Sequence, residues 1–556
     1  MMTQFLKSLT IAVVLAASAG WLGYQRGQHV LASQTIQPDG AVEATQPLGR
    51  LSLDGPIIGV NYFGRNGAKN VINSFRIEEV AEDFSRLRAD GFNTVVLPIF
   101  WTEFQPTYDP CCTYDERVFD RLSILMNEAN KAGLSIILRI GYSHPYDRDS
   151  PIATYRLLND AQVRQSFFAF LAQVKKQIRP YLNVRLNILA QGELDPHLID
   201  FKSLEGFHNF LDGLPINHPR RSYPRDKAMP TLDGVDKSLF AAYWDWLLLH
   251  ELYQPASARL PRPIFEERID RDPPRYADAN DNVRLIGDET TFAPLGAEAM
   301  GVNVAPILFD RHNDSQSIDT AVLDESLAKV RQYSDLPMWI DQVDLSVLAE
   351  GHSTSVTERF LCELRQASTL GYAYWSAHDY ADSLLNNSSF AIGLKGWTMT
   401  TTDGTLPHDR FEQRASGDRD LRLHTGDALK QTIFRSNRTK SIQQKDSFAA
   451  QACLYANANS PAVLDVYVGA EAERFNFSSA GAQRICHKVS VTTEDQIAEF
   501  RIIGVSGAPA LTSVTLFESV REGGVYTLDN LDGRWVSAIR MFNQHLKAKD
   551  ANSDCR

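Results

Sequence analysis

Short runs of β-branched and apolar residues alternate with longer stretches in which apolar positions recur every three or four residues, and this alternation persists from residue 56 to residue 397. The short runs read as strands buried on both faces and the long ones as amphipathic helices, so their order predicts a parallel sheet with helical crossovers. Candidate strands fall at 57–62, 94–99, 135–140, 184–190, 263–269, 302–309, 338–342 and 373–376. Eight strands in this order predict a closed (β/α)8 barrel of the TIM type, an α/β fold. Candidate helices lie at 77–90, 115–132, 160–179, 319–333 and 355–370. Gly91, Gly133, Gly301 and Gly371 each follow a helical run and precede a strand, where glycine can take the left-handed conformation that ends a helix. The fifth strand is the least sharply defined, because the chain between Leu252 and Gly301 is dense in Pro, Arg and Asp.

Residues 206–236 are polar and rich in Pro, Arg and His. Loops after barrel strands line the active face, so this stretch is expected either to shape a substrate cleft or to serve as a plain structural loop. After residue 397 the pattern changes to Thr-, Ser- and Val-rich alternation, with runs at 462–468, 497–505 and 511–517. Short alternating strands without helices predict an all-β sandwich domain. Residues 535–546 return to helical spacing, as a segment that packs back on one of the domains.

The amino terminus carries Lys7 and then an apolar stretch over residues 8–23, the length of a signal sequence or a short membrane anchor. Ala17-Ser18-Ala19 has the small-x-small form of a cleavage site, yet the run continues through Trp21 and Leu22 to Arg26, so a cleaved signal and an uncleaved anchor both stand. Either one exports the chain, to a periplasmic, inner-membrane-anchored or secreted location in a bacterium. The expected organisation is a signal or anchor at 1–26, a linker at 27–52, the barrel at 53–397, the sandwich at 398–548 and a tail at 549–556. Export permits disulfides. Of the six cysteines, Cys453 and Cys486 both lie in the β-rich region and could staple it. Adjacent Cys111 and Cys112 suit separate partners, and Cys362 in a helical pattern suits a buried thiol. No Cys or His spacing has the form of a zinc site.

Net charge is −12, which argues against nucleic acid as a partner and gives no reason to expect an acidic polymer as substrate, so a neutral or locally recognised sugar is easier to accommodate. Two strand ends carry carboxylates. One run ends in Gln191-Gly192-Glu193, and another in Asp341-Gln342-Val343-Asp344. Glycosidic bond cleavage needs such a pair, one acid to protonate the leaving oxygen and one carboxylate to attack the sugar or activate water. That chemistry needs neither a cofactor nor a metal.

Residues 53–397 resemble the clan A type of glycoside hydrolase, the (β/α)8 group that includes cellulase and mannanase families. The resemblance rests on Gly59-Val-Asn-Tyr-Phe63, Gly91-Phe-Asn-Thr-Val-Val-Leu-Pro-Ile-Phe-Trp101, Gln191-Gly-Glu-Leu194, Pro337-Met-Trp-Ile-Asp-Gln342 and Gly371-Tyr-Ala-Tyr-Trp-Ser376. It implies that Glu193 is the general acid/base and that Trp375 stacks on a sugar. It also places Gln342 where the family has its nucleophilic Glu, and Leu97 where it has an Arg. An amide cannot be the attacking carboxylate. Alternation along the strand puts Asp344 on the face of Gln342, as the substitute, and turns Asp341 away from the mouth unless the strand bulges. Tyr62, Trp101, His144, His312 and His378 follow or end strands and are expected to line the cleft with Trp375 and Gln342.

Two functions follow from these residues. The first is an exported hydrolase of O-glycosidic bonds in a polysaccharide, with a transglycosylase as its close variant. The second is a non-catalytic polysaccharide-binding accessory of exopolysaccharide export, with Gln342 as the trace of a lost nucleophile. In both, the partner is a polysaccharide or oligosaccharide, and the membrane is met only through the amino-terminal segment. Gly393-Leu-Lys-Gly-Trp397, before a Thr-rich strand, opens a sandwich that either binds carbohydrate or buttresses the barrel.

Overall fold

The computed structural model describes residues 56–67, 71–105, 113–142, 156–188, 204–214, 216–227, 229–230, 236–260, 263–270, 284–285, 299–303, 328, 331, 336–343, 370–434, 446–469, 471–479, 481–493, 497–521, 524–528, 531, 533 and 536–547. Eight parallel strands form its centre: β1 (Ile57–Asn61), β2 (Thr94–Phe100), β3 (Ser135–Tyr142), β4 (Val184–Ile188), β5 (Pro263–Asp270), β6 (Ala299–Asn303), β7 (Met338–Val343) and β8 (Gly371–Tyr374). Each pairs with the next in sequence, and β8 pairs with β1 from Ile57↔Gly371 to Val60↔Tyr374, so the ring closes. The fifth strand lies where the hydrophobic pattern puts it. The sixth starts at Ala299 rather than 302 and the eighth at Gly371 rather than 373. The candidate helices at 319–333 and 355–370 fall almost wholly outside the described residues, and the segment 1–26 entirely so. Among the described residues no helix is long and apolar enough to cross a membrane.

Side-chain alternation gives each strand two apolar faces. Ile58, Val60, Leu97, Ile99, Leu138 and Leu186 pack outward on α1 (Ile77–Ala89), α2 (Glu116–Lys131) and α3 (Ala161–Ile178), whose buried faces supply Phe84, Leu87, Leu122, Leu125, Phe167 and Phe170. Ile57, Val96, Ile137, Trp339 and Ala373 form a separate inward cluster, the floor of the barrel. Gly91 and Gly133 end α1 and α2 at φ 96° and 70°. Gly301 does something else. It lies inside β6, and a Cβ there would stand 3.1 Å from Trp339 Nε1 and 3.3 Å from Asp341 Cβ, so the missing side chain is what admits those two groups.

Residues 206–236 are less of a loop than their polarity suggests. Helices α4 (Leu204–Gly213) and α5 (Lys237–Leu247) flank a 3-10 turn, and Phe207, Phe210, Leu211, Leu239 and Tyr243 form a small apolar core of their own.

The remaining strands build two antiparallel sheets. One has the order Phe411–Gln413, Arg419–Arg422, Ala510–Arg521, Asp446–Ala458 and Gly481–Thr493, with Tyr380–Ser383 also on Ala510–Arg521. The other runs Thr398–Thr400, Ala428–Phe434, Ile497–Ser506, Ala462–Val468 and Glu471–Phe477. Leu421, Leu454, Leu464, Val466, Phe475, Phe500 and Leu516 fill the space between them. Cys453 and Cys486 stand directly opposite in register and are joined by a disulfide.

Barrel and sandwich share elements. α6 (Val536–Lys547) carries Val536 and Ile539 into the barrel's outer core, so the last helical run packs on the barrel. Nearby, Asp90 collects the Tyr526 hydroxyl at 2.8 Å, Arg540 Nε at 2.8 Å and Arg86 Nε at 3.0 Å. A cap also crosses between the units. Arg76 at the start of α1 offers no side-chain cap, whereas Asp418 of the sandwich accepts Ile77 N–H at 3.0 Å and Glu78 N–H at 3.4 Å. A carboxylate there meets the positive end of the helix.

Glu103 marks the third contact zone. Its Oε1 accepts Asn73 N–H at 3.2 Å, while the carbonyl of Asn73 accepts Ser389 Oγ at 3.4 Å from the sandwich side. Burial pushes the Glu103 carboxyl up to about 8, against backbone hydrogen bonds and Arg121, which pull it down. The folded state therefore keeps a proton that the unfolded chain releases near pH 4.5, and stability falls as pH rises from there to about 8. Glu103→Gln is expected to raise the melting temperature at pH 8 and above and to flatten its decline between pH 5 and 8, as thermal unfolding across pH will show.

Candidate active site at the strand ends

Above the apolar floor the barrel interior becomes polar. Asn61 on β1 donates from Nδ2 to the carbonyls of Tyr374 at 2.9 Å and Asp341 at 3.1 Å, and its Oδ1 accepts Arg139 Nη1 at 3.3 Å. Arg139 on β3 brings Nη2 within 3.8 Å of Asp341 Oδ2. Asn61, Arg139, Asn187 and Asp341 are all buried, so an acid, a base and two amides occupy one layer of the barrel. In a barrel the layer toward the carboxyl ends of the strands lies beneath the active face.

Asp341 therefore does not turn away from the barrel. It follows Trp339 by two residues and shares its inward face. The pairing of β7 is also irregular here: register slips between Val302 and Asn303 opposite Ile340 and Gln342, and again between Ile340 and Val343 opposite β8. Such a bulge re-aims the residues that follow it, which alternation alone does not foresee.

Aromatic side chains gather at the ends of β1, β2 and β8. Phe63 after β1, Trp375 after β8 and Tyr380 meet with ring centroids 4.9, 5.1 and 5.3 Å apart, and Phe100 and Val71 complete the cluster. Trp375 is half-buried, so part of its indole remains open at the strand end. Phe63 ends the Gly59-Val-Asn-Tyr-Phe63 run without being among the expected cleft residues, and the sequence around Tyr380 does not single it out, yet both belong to the cluster. Their role emerges only when β1 and β8 close the ring.

Three expected cleft residues lie elsewhere. Trp101 is fully buried against Phe167 and Phe170 of α3, with Nε1 donating to Gln105 Oε1 at 3.0 Å. Its place after β2 put it on the list, but the chain enters a helical turn at Trp101 and carries it into the helical layer. Tyr62 is also fully buried, its hydroxyl donating to Asp83 Oδ2 at 2.7 Å. His378 sits against the same carboxylate, with Nε2 3.0 Å from Asp83 Oδ2 and Nδ1 2.8 Å from the carbonyl of Thr527. Both serve the packing of β1 and β8 on α1. Glu193, Asp344, His144 and His312 lie outside the described residues, and the side chain of Gln342 is likewise not described. Glu193 follows the end of β4 at Ile188 by five residues.

Asp83 holds this packing together electrostatically. Burial raises its carboxyl, but His378 and Arg65 beside it more than offset that and leave it below its ordinary value. A depressed carboxyl contributes stability that is present above pH 3.8 and lost as pH falls through and below that value. Asp83→Asn is expected to cost ~3–5 kcal/mol, because Arg65 and His378 lose a buried partner, and to flatten the acid side of the stability profile measured by denaturant unfolding.

No family model matches the chain, and no curated protein matches it. Solved structures do. A GH5_18 structure from Streptomyces cattleya in complex with GlcNAc is similar at 16% identity and TM-score 0.38, over 59% of this chain and 71% of that one. The exo-beta-1,4-mannosidase from Opitutaceae bacterium strain TAV5 is similar at 17% identity and TM-score 0.39, over 60% and 54% of the two chains. The endo-1,4-beta-mannanase from Rhizomucor miehei is similar at 11% identity and TM-score 0.39, over 58% and 86%.

Proposed function

We propose that the chain is an exported glycoside hydrolase that cleaves O-glycosidic bonds in a polysaccharide, with Glu193 as general acid/base and Asp344 as the second carboxylate. The observation that carries this reading is the half-open Trp375 in its aromatic cluster, set at the strand ends beside a polar barrel interior. An indole face gives apolar contact to a pyranose, and its N–H can serve a sugar hydroxyl. Asp341, enclosed and close to Arg139, suits positioning better than attack. The bulge in β7 resets the alternation beyond it, which is compatible with an inward Asp344. Export rests on residues 1–26, and residues 398–548 form the accessory domain of this scheme.

The rival function, a binding protein without catalysis, draws on one feature. Gln342 occupies the position of the family nucleophile, and the described carboxylate beside it is buried. Kinetics separates the two. Glu193→Gln is expected to lower reducing-end release ~10²–10⁴-fold while oligosaccharide binding survives, since Trp375 is untouched. Asp344→Asn should be similarly damaging, and Asp341→Asn should reduce stability more than turnover. Trp375→Ala should weaken oligosaccharide binding. If wild type releases no reducing ends from any polymer it binds, and Glu193→Gln binds equally well, the protein binds polysaccharide without cutting it.

A further inference from the structure

A second cleft, of about 630 Å³, opens where the barrel meets the sandwich. Its size is ordinary for a small-molecule site. Its charge is not ordinary for this chain. Arg117, Lys395 and Arg419 line it with His408, and among the described residues no acidic side chain does, although acidic residues outnumber basic ones by 68 to 56 in the sequence. Leu394 and Phe411 add apolar wall.

The cations come from three separate segments: the first turn of α2, the run of turns that precedes Trp397, and the sandwich. Asp115, the cap of α2, aligns two of them from behind, at 2.9 Å from Arg117 Nη2 and 2.6 Å from Lys395 Nζ. Burial raises the Asp115 carboxyl, but its hydrogen bonds to Arg117 and Lys395 bring it to about 2, so it remains ionised. Arg117 Nη1 is fixed further by the carbonyl of Ile392 at 3.1 Å. One carboxylate thus orders two cations, and Arg419 adds a third to the cleft wall, beside the imidazole of His408. The first turn of a barrel helix lies on the face where the strands end, so this cleft opens on the same side as the Trp375 cluster.

We infer that the cleft is an accessory subsite for a carboxylate-bearing sugar, a uronic acid unit of the polysaccharide. The inference rests on the carbohydrate function proposed for the barrel and names the substrate class that function leaves open. Arginine forks match carboxylates in geometry as well as charge, and Phe411 offers the ring face that a free inorganic anion would not need. Global charge disfavours an acidic polymer, but contact is decided by local potential within a Debye length of about 8 Å at physiological salt.

Calorimetric titration of the full-length chain with trigalacturonate, mannotriose and inorganic phosphate tests the assignment. Trigalacturonate is expected to bind with an affinity that falls with added salt, and Arg419→Gln combined with His408→Gln should weaken it about tenfold or more while leaving mannotriose unaffected. Both side chains are exposed, and circular dichroism will confirm that the variant folds. Trp375→Ala should do the reverse, weakening mannotriose most. Unchanged trigalacturonate affinity in the double variant overturns the inference, as does phosphate competing at equal concentration. If trigalacturonate binds through Arg419 and His408 but no neutral oligosaccharide depends on Trp375, the cleft stands and the barrel function fails.

Discussion

Two buried carboxylates on α1, at Asp83 and just past its end at Asp90, fix the part of the barrel on which everything at the mouth depends. Asp83 gathers Tyr62 from β1, His378 from beyond β8 and Arg65 from the loop between β1 and α1. Asp90 gathers Tyr526 and Arg540 from the far end of the chain. A buried carboxylate is costly unless its lone pairs are filled, and filling them here requires segments up to 450 residues apart to be in place together. The ends of β1 and β8 are held by this requirement, and with them Phe63, Trp375 and Tyr380.

Within the barrel the same economy of charge operates on the opposite face of the strands. Arg139 and Asp341 share an enclosed layer with Asn61, whose amide spans to the backbone of two other strands. Such a layer binds the strand ends together, and it leaves Asp341 poorly placed as a nucleophile. A carboxylate that must attack needs access to the sugar, whereas one that orients its neighbours needs enclosure.

The sandwich is more than an appended module. It supplies the cap of α1 through Asp418, its Tyr455 ring lies 5.5 Å from the guanidinium of Arg76, and Arg414 reaches Glu78 at 3.3 Å. The turns before Trp397 contribute Lys395 to the cationic cleft. Contacts of this kind set the two cores in register, so the surface between them can carry a site of its own.

The sequence by itself determined the alternation that became eight parallel strands, because a strand buried on both faces must be continuously apolar and a helix laid on it must be striped. It also marked Asp115 and Asp160 as helix starts, Gly91 and Gly133 as helix ends, the β character beyond residue 397, and Cys453 and Cys486 as partners within it. Tertiary structure alone decided which strand-end side chains face inward. Tyr62, Trp101 and His378 follow or end strands just as Trp375 does, yet parity, a helical turn and the carboxylate of Asp83 draw them into the helical layer. The enclosed setting of Asp341 comes from Arg139 and Asn61, which reach it from β3 and β1. Glu103 is an ordinary acid in sequence and becomes a retained proton only because the folded chain buries it. Local propensity is written in short windows of sequence, whereas facing, burial and charge state are set by residues hundreds of positions away.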